Sequence, residues 1–221
     1  MPTMLNDPKI DALLEPLHRT SKDQDAAIER YYRERTGPWR GMEARDHAFM
    51  SDKLVALEQD KSEFCYMLCR AIGAKRIVEV GTSYGVSTLY LAAAVRDNGG
   101  GVVFAAEYEP EKVKQARANY EAAGLTRFIE LHEADVGEAC KGFAGPIDFV
   151  LFDIWTNMVR PVLDVLLPRL RPGAVICADN TAGERARQNY AEFFEAVNDP
   201  ANGLRTMTLP FQGGFELTVK A

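Results

Sequence analysis

Arg76-Ile77-Val78-Glu79-Val80-Gly81-Thr82-Ser83-Tyr84-Gly85-Val86-Ser87 is the stretch that decides the fold. Its β-branched run reads as a buried parallel strand, and Gly81 lets the backbone turn where a side chain would clash. Apolar residues then continue at helical spacing through 89–95. A strand turning directly into a helix is how an α/β sheet builds a ligand crevice at the carboxyl ends of its strands. The loop is not the G-x-G-x-x-G of a dinucleotide site, because Ser83 stands at the middle glycine position. Glu79, an acid inside the strand, would repel phosphates. It suits a cationic cofactor, of which S-adenosylmethionine is an example.

Working outward, residues 101–106 read as a second strand that ends in Glu107. An acid there, roughly twenty or more residues past the glycine loop, is placed to accept hydrogen bonds from ribose hydroxyls. An amphipathic helix over 110–123 leads to a third strand at 128–132. Glu133-Ala134-Asp135 follows, where a polar side chain can meet an adenine edge. Glu107 and Asp135 also fit as solvated loop acids. Strands four and five fall at 148–152 and 174–178, a helix at 184–197, and two last strands at 204–209 and 215–219. The short connection between those two makes them an antiparallel hairpin. The alternation of strands and helices predicts a Rossmann-like, doubly wound, mostly parallel seven-stranded sheet covered on both faces. Ahead of it, helices are expected at 8–18, 22–35 and 59–72, with a turn-rich connection at 37–41. The expected organisation is one domain over 1–221, with residues 1–70 a helical cap and 71–221 the core.

A length of 221 residues suffices for a full core. The net charge of −6, with no dense Lys/Arg run, argues against nucleic acid as the main partner. No apolar run has the length of a membrane span, and residues 1–7 lack a basic-plus-apolar secretion signal. Cys65, Cys69, Cys140 and Cys177 fit no common zinc spacing, and reduced thiols in a cytoplasmic protein are expected.

Strands four and five end alike, in Asp153 and in Asp179-Asn180. As neighbours in a doubly wound sheet, their tips lie about 5 Å apart. Two carboxylates and an amide oxygen there suit a hard divalent ion, Mg²⁺ first, with Ca²⁺ or Mn²⁺ as substitutes. Asp153 also fits as a helix cap, and Asp179-Asn180-Thr181 as a turn.

Together these segments resemble the small, cation-dependent class I O-methyltransferases, the catechol and caffeoyl-coenzyme A type. The resemblance rests on 78–81 with Gly85 and Ser87, Ala106-Glu107, 148–155, 173–181 (GAVICADNT) and the closing 214–220. It implies transfer of a methyl group from S-adenosylmethionine to a hydroxyl of a small phenolic or catechol-like acceptor chelated to the cation. Glu79, Gly81, Thr82, Ser83 and Ser87 would line the methionine end, with Leu57 closing over it. Glu107 would hold the ribose, and Ala134 and Asp135 would border the adenine. Asp153, Asp179 and Asn180 would ligate the metal, Asp153 thereby being catalytic, and Trp155 would wall the acceptor pocket. Trp155 also fits as a packing residue. A homodimer is implied as well.

One departure stands out. Where the relatives carry a lysine three residues past the first metal aspartate, this chain has Thr156, which is no general base at neutral pH. Nothing in the sequence brings Lys53, Lys61 or Arg160 to the reacting oxygen. None of His18, His47 and His132 has a catalytic signature. Three other readings stay open: a metal-independent methyltransferase on another nucleophile, a non-catalytic S-adenosylmethionine-binding protein, and an NAD-linked oxidoreductase. Glu79 and the missing glycine weigh against the last.

Overall fold

A computed structural model of the chain describes residues 3–35 and 42–221. Three helices precede the sheet: α1 (Pro8–Glu34), α2 (Ala44–Met50) and α3 (Gln59–Ala71). Asp7 caps α1 by accepting the amides of Lys9 and Ile10, and Pro8 opens the first turn. The two helices expected over 8–18 and 22–35 are one 27-residue helix that runs through Pro16. Ile10 and Leu14 bury the turns that precede the proline. The polar run that read as a break has another use. Ser21 Oγ accepts the Ala56 amide at 3.0 Å, and Gln24 Oε1 accepts that of Leu54 at 2.9 Å. Helix α2 was not expected; it starts at a capping box in which Glu43 and Asp46 satisfy each other's backbone. The turn expected at 37–41 lies outside the described residues.

The sheet is built from β1 (Arg76–Val80), β2 (Val102–Glu107), β3 (Ile129–Glu133), β4 (Ile147–Phe152), β5 (Leu170–Asp179), β6 (Leu204–Leu209) and β7 (Phe215–Lys220). Between them lie α4 (Val86–Asp97), α5 (Pro110–Ala123), α6 (Val136–Lys141), α7 (Thr156–Leu166), α8 (Glu184–Asn189) and α9 (Ala191–Asn198). The strand order is β3-β2-β1-β4-β5-β7-β6, with only β7 running antiparallel to its neighbours. This is the expected mostly parallel seven-stranded sheet with a closing hairpin. The helix expected over 184–197 is divided at Tyr190, whose hydroxyl donates to the Asp179 carbonyl at 2.8 Å.

The strands alternate strictly. Ile77, Val103, Phe149, Leu151, Val175 and Cys177 face α3 and α4, in one core with Leu57, Cys65 and Leu89. Val78, Val80, Phe104, Val150, Phe152 and Ile176 face the other way, in a core with α6, α7 and α9. Both faces are covered, as parallel strands require. The order reverses between β1 and β4, so the chain leaves these two strands toward opposite faces and opens a crevice at their carboxyl ends. The four cysteines are buried and unpaired with one another by any disulfide. Among the described residues no helix is long and apolar enough to cross a membrane.

Candidate active site

The strand tips open into one cavity of about 800 Å³. Gly81 stands at its floor with φ +103°, and a Cβ there would lie 2.0 Å from the Asp153 carbonyl oxygen. Gly85 caps α4 at φ +79°, and between them Ser83 also takes a positive φ, 51°. The loop is therefore held in a shape that L-residues rarely adopt, with the first amides of α4 turned toward the cavity.

Glu107 anchors the loop. Its Oε2 accepts the Ser83 amide at 2.9 Å, and its Oε1 accepts those of Tyr108 at 2.9 Å and Glu109 at 3.0 Å. Three backbone donors thus fix the carboxylate at the cavity wall, leaving lone pairs that can accept further hydroxyls. Asp135 caps α6 through the amides of Gly137 and Glu138. It lines the cavity next to Ala134, so the cap and the wall are the same residue.

Glu79 is fully buried beneath the loop, where Thr82 and Thr88 donate to its Oε2. Its Oε1 and the Ser83 hydroxyl are buried with no hydrogen-bond partner. Ser83 lines the cavity and Glu79 lies beneath it, so these orphaned oxygens leave hydrogen-bonding capacity next to the loop. Burial pushes the Glu79 carboxyl up to about 7, against the lowering effect of the Thr88, Ser87 and Thr82 hydroxyls. A carboxyl raised in the folded state binds its proton more tightly there. Its stabilising contribution is full below the unfolded value near 4.5 and is lost as pH rises through 7. We expect Glu79→Gln to stabilise the ligand-free protein at pH 8 by roughly 3 kcal/mol and to do nothing near pH 4.5. Urea unfolding at the two pH values checks this; an equal effect at both would contradict it.

At the other end stand Asp153, Trp155, Asp179 and Asn180, all on the cavity wall. The Phe152–Ala178 register sets the two aspartates side by side at the tips of β4 and β5. Asp153 does not cap α7: the N-cap position is Trp155, and no side chain caps the helix. The metal expected here does not fit these side chains as folded. Asp179 Oδ1 accepts a hydrogen bond from Lys61 Nζ at 2.5 Å, and its Oδ2 accepts one from Asn180 Nδ2 at 2.7 Å. Lys61 is fully buried and also pairs with Glu58 at 2.9 Å. Burial alone would lower the Lys61 ammonium, but Asp179 and Glu58 more than offset it and hold it raised. Burial, then the neighbouring Asp179 charge, pushes the Asp153 carboxyl well above the carboxylate range. Burial likewise takes Asp179 to about 6 despite Lys61. One of the two carboxylates is thus already matched by an ammonium of the protein itself. Among the described residues no group of three or more His, Cys, Asp or Glu is arranged to hold a metal.

Two of the expected residues are not on the wall. Glu79 lies beneath the loop, and Leu57, expected to close over the ligand, is buried in the apolar core; Val55, Ala56 and Met50 line the cavity in its place. Lys53 pairs with Asp52 and lies over the Phe49 ring, and Arg160 pairs with Asp164 at the surface. His18 meets the Tyr90 hydroxyl, and His132 stacks on Phe104. Nothing local in the chain pointed to Tyr32, Lys112, Arg185 and Asn189 on the wall, nor to His47 and Tyr108, which meet there at 2.6 Å. All but Tyr108 come from helices whose placement depends on tertiary packing. Only an amphipathic count over 44–50 could have pointed to His47.

Residues 78–181, spanning the glycine loop to the Asp179-Asn180 turn, match the model of a methyltransferase domain. The relatives that the chain resembles over this stretch are named O-methyltransferases. A catechol O-methyltransferase of Niastella koreensis is 28% identical over 130 residues, covering 57% of this chain and 58% of that protein. A catechol O-methyltransferase of Mycobacterium tuberculosis is 31% identical over 127 residues, 57% of each. The chain thus spans little more than half the length of these relatives. The O-methyltransferase from Bacillus cereus, solved in complex with SAH, has the same fold. Its TM-score is 0.67 at 23% identity, over 88% of this chain and 97% of that one.

Proposed function

We propose that this chain is an S-adenosylmethionine-dependent O-methyltransferase that methylates a hydroxyl of a small phenolic acceptor. The observation that carries the reading is the glycine loop itself: its Ser83 amide is anchored by Glu107 on the cavity wall, while the Ser83 hydroxyl and the Glu79 Oε1 beneath the loop are left without a hydrogen-bond partner. A ligand with an ammonium at one end and a diol further along satisfies both at once. The bound cofactor supplies an electrophilic methyl group on a sulfonium sulfur. Glu107 holds the ribose hydroxyls, Ala134 and Asp135 border the base, and Glu79, Gly81, Thr82, Ser83 and Ser87 form the methionine end. Trp155, Tyr32 and Met158 make an aromatic and thioether wall that suits a flat ring. Asp153 faces the acceptor and orients its hydroxyl, and its ionised form, made a stronger base by burial, takes the proton as the methyl group transfers. Holding donor and acceptor in line can account for roughly 7–11 kcal/mol of the barrier.

The chelated divalent cation expected from the sequence is not part of this reading, because Asp179 is already held by Lys61 and Asn180. The chain acts as one domain, residues 1–70 capping 71–221, in the cytoplasm and as a homodimer; four buried thiols without a disulfide support the compartment. Nucleic acid and membranes are not its partners.

Transfer of a labelled methyl group to a panel of small phenols tests the activity. Absence of transfer to every phenol, with the cofactor bound, would leave a binding protein. Within the active enzyme, Asp153→Asn should lower kcat by a factor of 10² to 10⁴ and change S-adenosylhomocysteine affinity less than threefold. An unchanged kcat would remove Asp153 from the reaction.

A further inference from the structure

We propose that Lys61 is a built-in substitute for a divalent cation, so that methyl transfer in this cavity proceeds without a metal. The inference deepens the function proposed above and rests on it. It stands on geometry. Lys61 lies in the first turn of α3, where the helix dipole disfavours a cation, and its side chain is completely buried. A buried ammonium at a helix N-terminus is costly unless anions hold it there. Two do: Asp179, 118 residues away in the chain, at 2.5 Å, and Glu58 at 2.9 Å. The Phe215 ring, 5.9 Å from Nζ, closes the apolar side.

The other strand-tip groups are arranged around that ammonium. Asn180, in a left-handed conformation at φ 58°, turns its amide onto the second oxygen of Asp179. Tyr190 donates to the Asp179 carbonyl at 2.8 Å. Asp179 is therefore fixed by three donors of the protein itself, at the one place where a metal would otherwise have to fix it. Lys61 does not line the cavity and touches no reacting atom, so its role is to position Asp179 and, beside it, Asp153. The acceptor is then chosen by the aromatic wall, not by a pair of adjacent oxygens able to chelate.

The test compares the wild-type protein with Lys61→Met and with Lys61→Met combined with Asp179→Asn. Manganese binding is read by electron paramagnetic resonance, S-adenosylhomocysteine binding by calorimetry, and methyl transfer with and without EDTA. We expect wild-type transfer to survive EDTA within twofold. We expect Lys61→Met to bind Mn²⁺ at least tenfold more tightly than wild type, because the oxygens it frees are hard ligands, and the double variant to lose that gain. Loss of wild-type transfer in EDTA, or equal Mn²⁺ affinity in wild type and Lys61→Met, would overturn the proposal. Both wild-type measurements stand even if Lys61→Met fails to fold. The manganese measurement does not depend on turnover, and calorimetry with S-adenosylhomocysteine separately reports a failure of the cofactor reading.

Discussion

Glu107→Ala should lose S-adenosylhomocysteine binding by at least a hundredfold while the protein remains folded. Two hydroxyl hydrogen bonds to an ionised carboxylate contribute about 1.5–3 kcal/mol each, so their joint loss is worth roughly 3–6 kcal/mol. A second effect adds to the first. Glu107 Oε2 accepts the Ser83 amide at 2.9 Å, so the variant also frees the loop that has to meet the ligand. Glu107→Gln keeps one oxygen acceptor and should fall between the two. Calorimetry with each variant, beside a thermal unfolding curve to show that the fold persists, makes the measurement. Affinity within threefold of wild type for Glu107→Ala would place the ribose elsewhere.

Gly81→Ala should destabilise the protein by roughly 3–5 kcal/mol and abolish binding at the same time. The cost has two parts: a strained backbone at φ +103° and a methyl group 2.0 Å from the Asp153 carbonyl oxygen. That carbonyl belongs to backbone, which cannot swing away as a side chain end can. The Asp153 amide is itself held by the Val80 carbonyl at 2.9 Å. Gly99 supplies the control: it has φ +85° with nothing within 4 Å of its added Cβ. Gly99→Ala should therefore show only the backbone strain, about 1 kcal/mol, with binding intact. Urea unfolding of the two variants separates strain from overlap. Equal destabilisation would mean that the close approach of β1 and β4 carries no weight.

What could be read in the sequence was what local chemistry specifies. The β-branched run at 76–80, the turn at Gly81 and the acid at Glu107 depend on residues adjacent in the chain, and they fold as read. The meeting of Asp153 with Asp179 followed from the order of a doubly wound sheet, and the β4–β5 register bears it out. Where distant contacts decide, the reading failed. Ser21 fell between the two expected helices, yet its hydroxyl, like the Gln24 side chain, serves a backbone amide, of Ala56 and Leu54 respectively, some thirty residues on. The helix over 184–197 divides because Tyr190 is drawn to the Asp179 carbonyl. Lys61 carried no local mark at all, since the partner that explains its burial is 118 residues away.

That single ion pair changes the chemistry inferred for the site. Two acids and an amide at neighbouring strand tips ask for a cation, and the sequence could not show that the protein carries one of its own. The cofactor half of the cavity is independent of this point. It depends on Glu79, Ser83 and Glu107, whose arrangement asks for an ammonium and a diol.

Calorimetric titration of the wild-type protein with S-adenosylhomocysteine, and separately with NAD, tests that arrangement most directly. One equivalent of S-adenosylhomocysteine should bind, with no heat from NAD. Saturable heat from NAD and none from S-adenosylhomocysteine would contradict the assignment of the cavity.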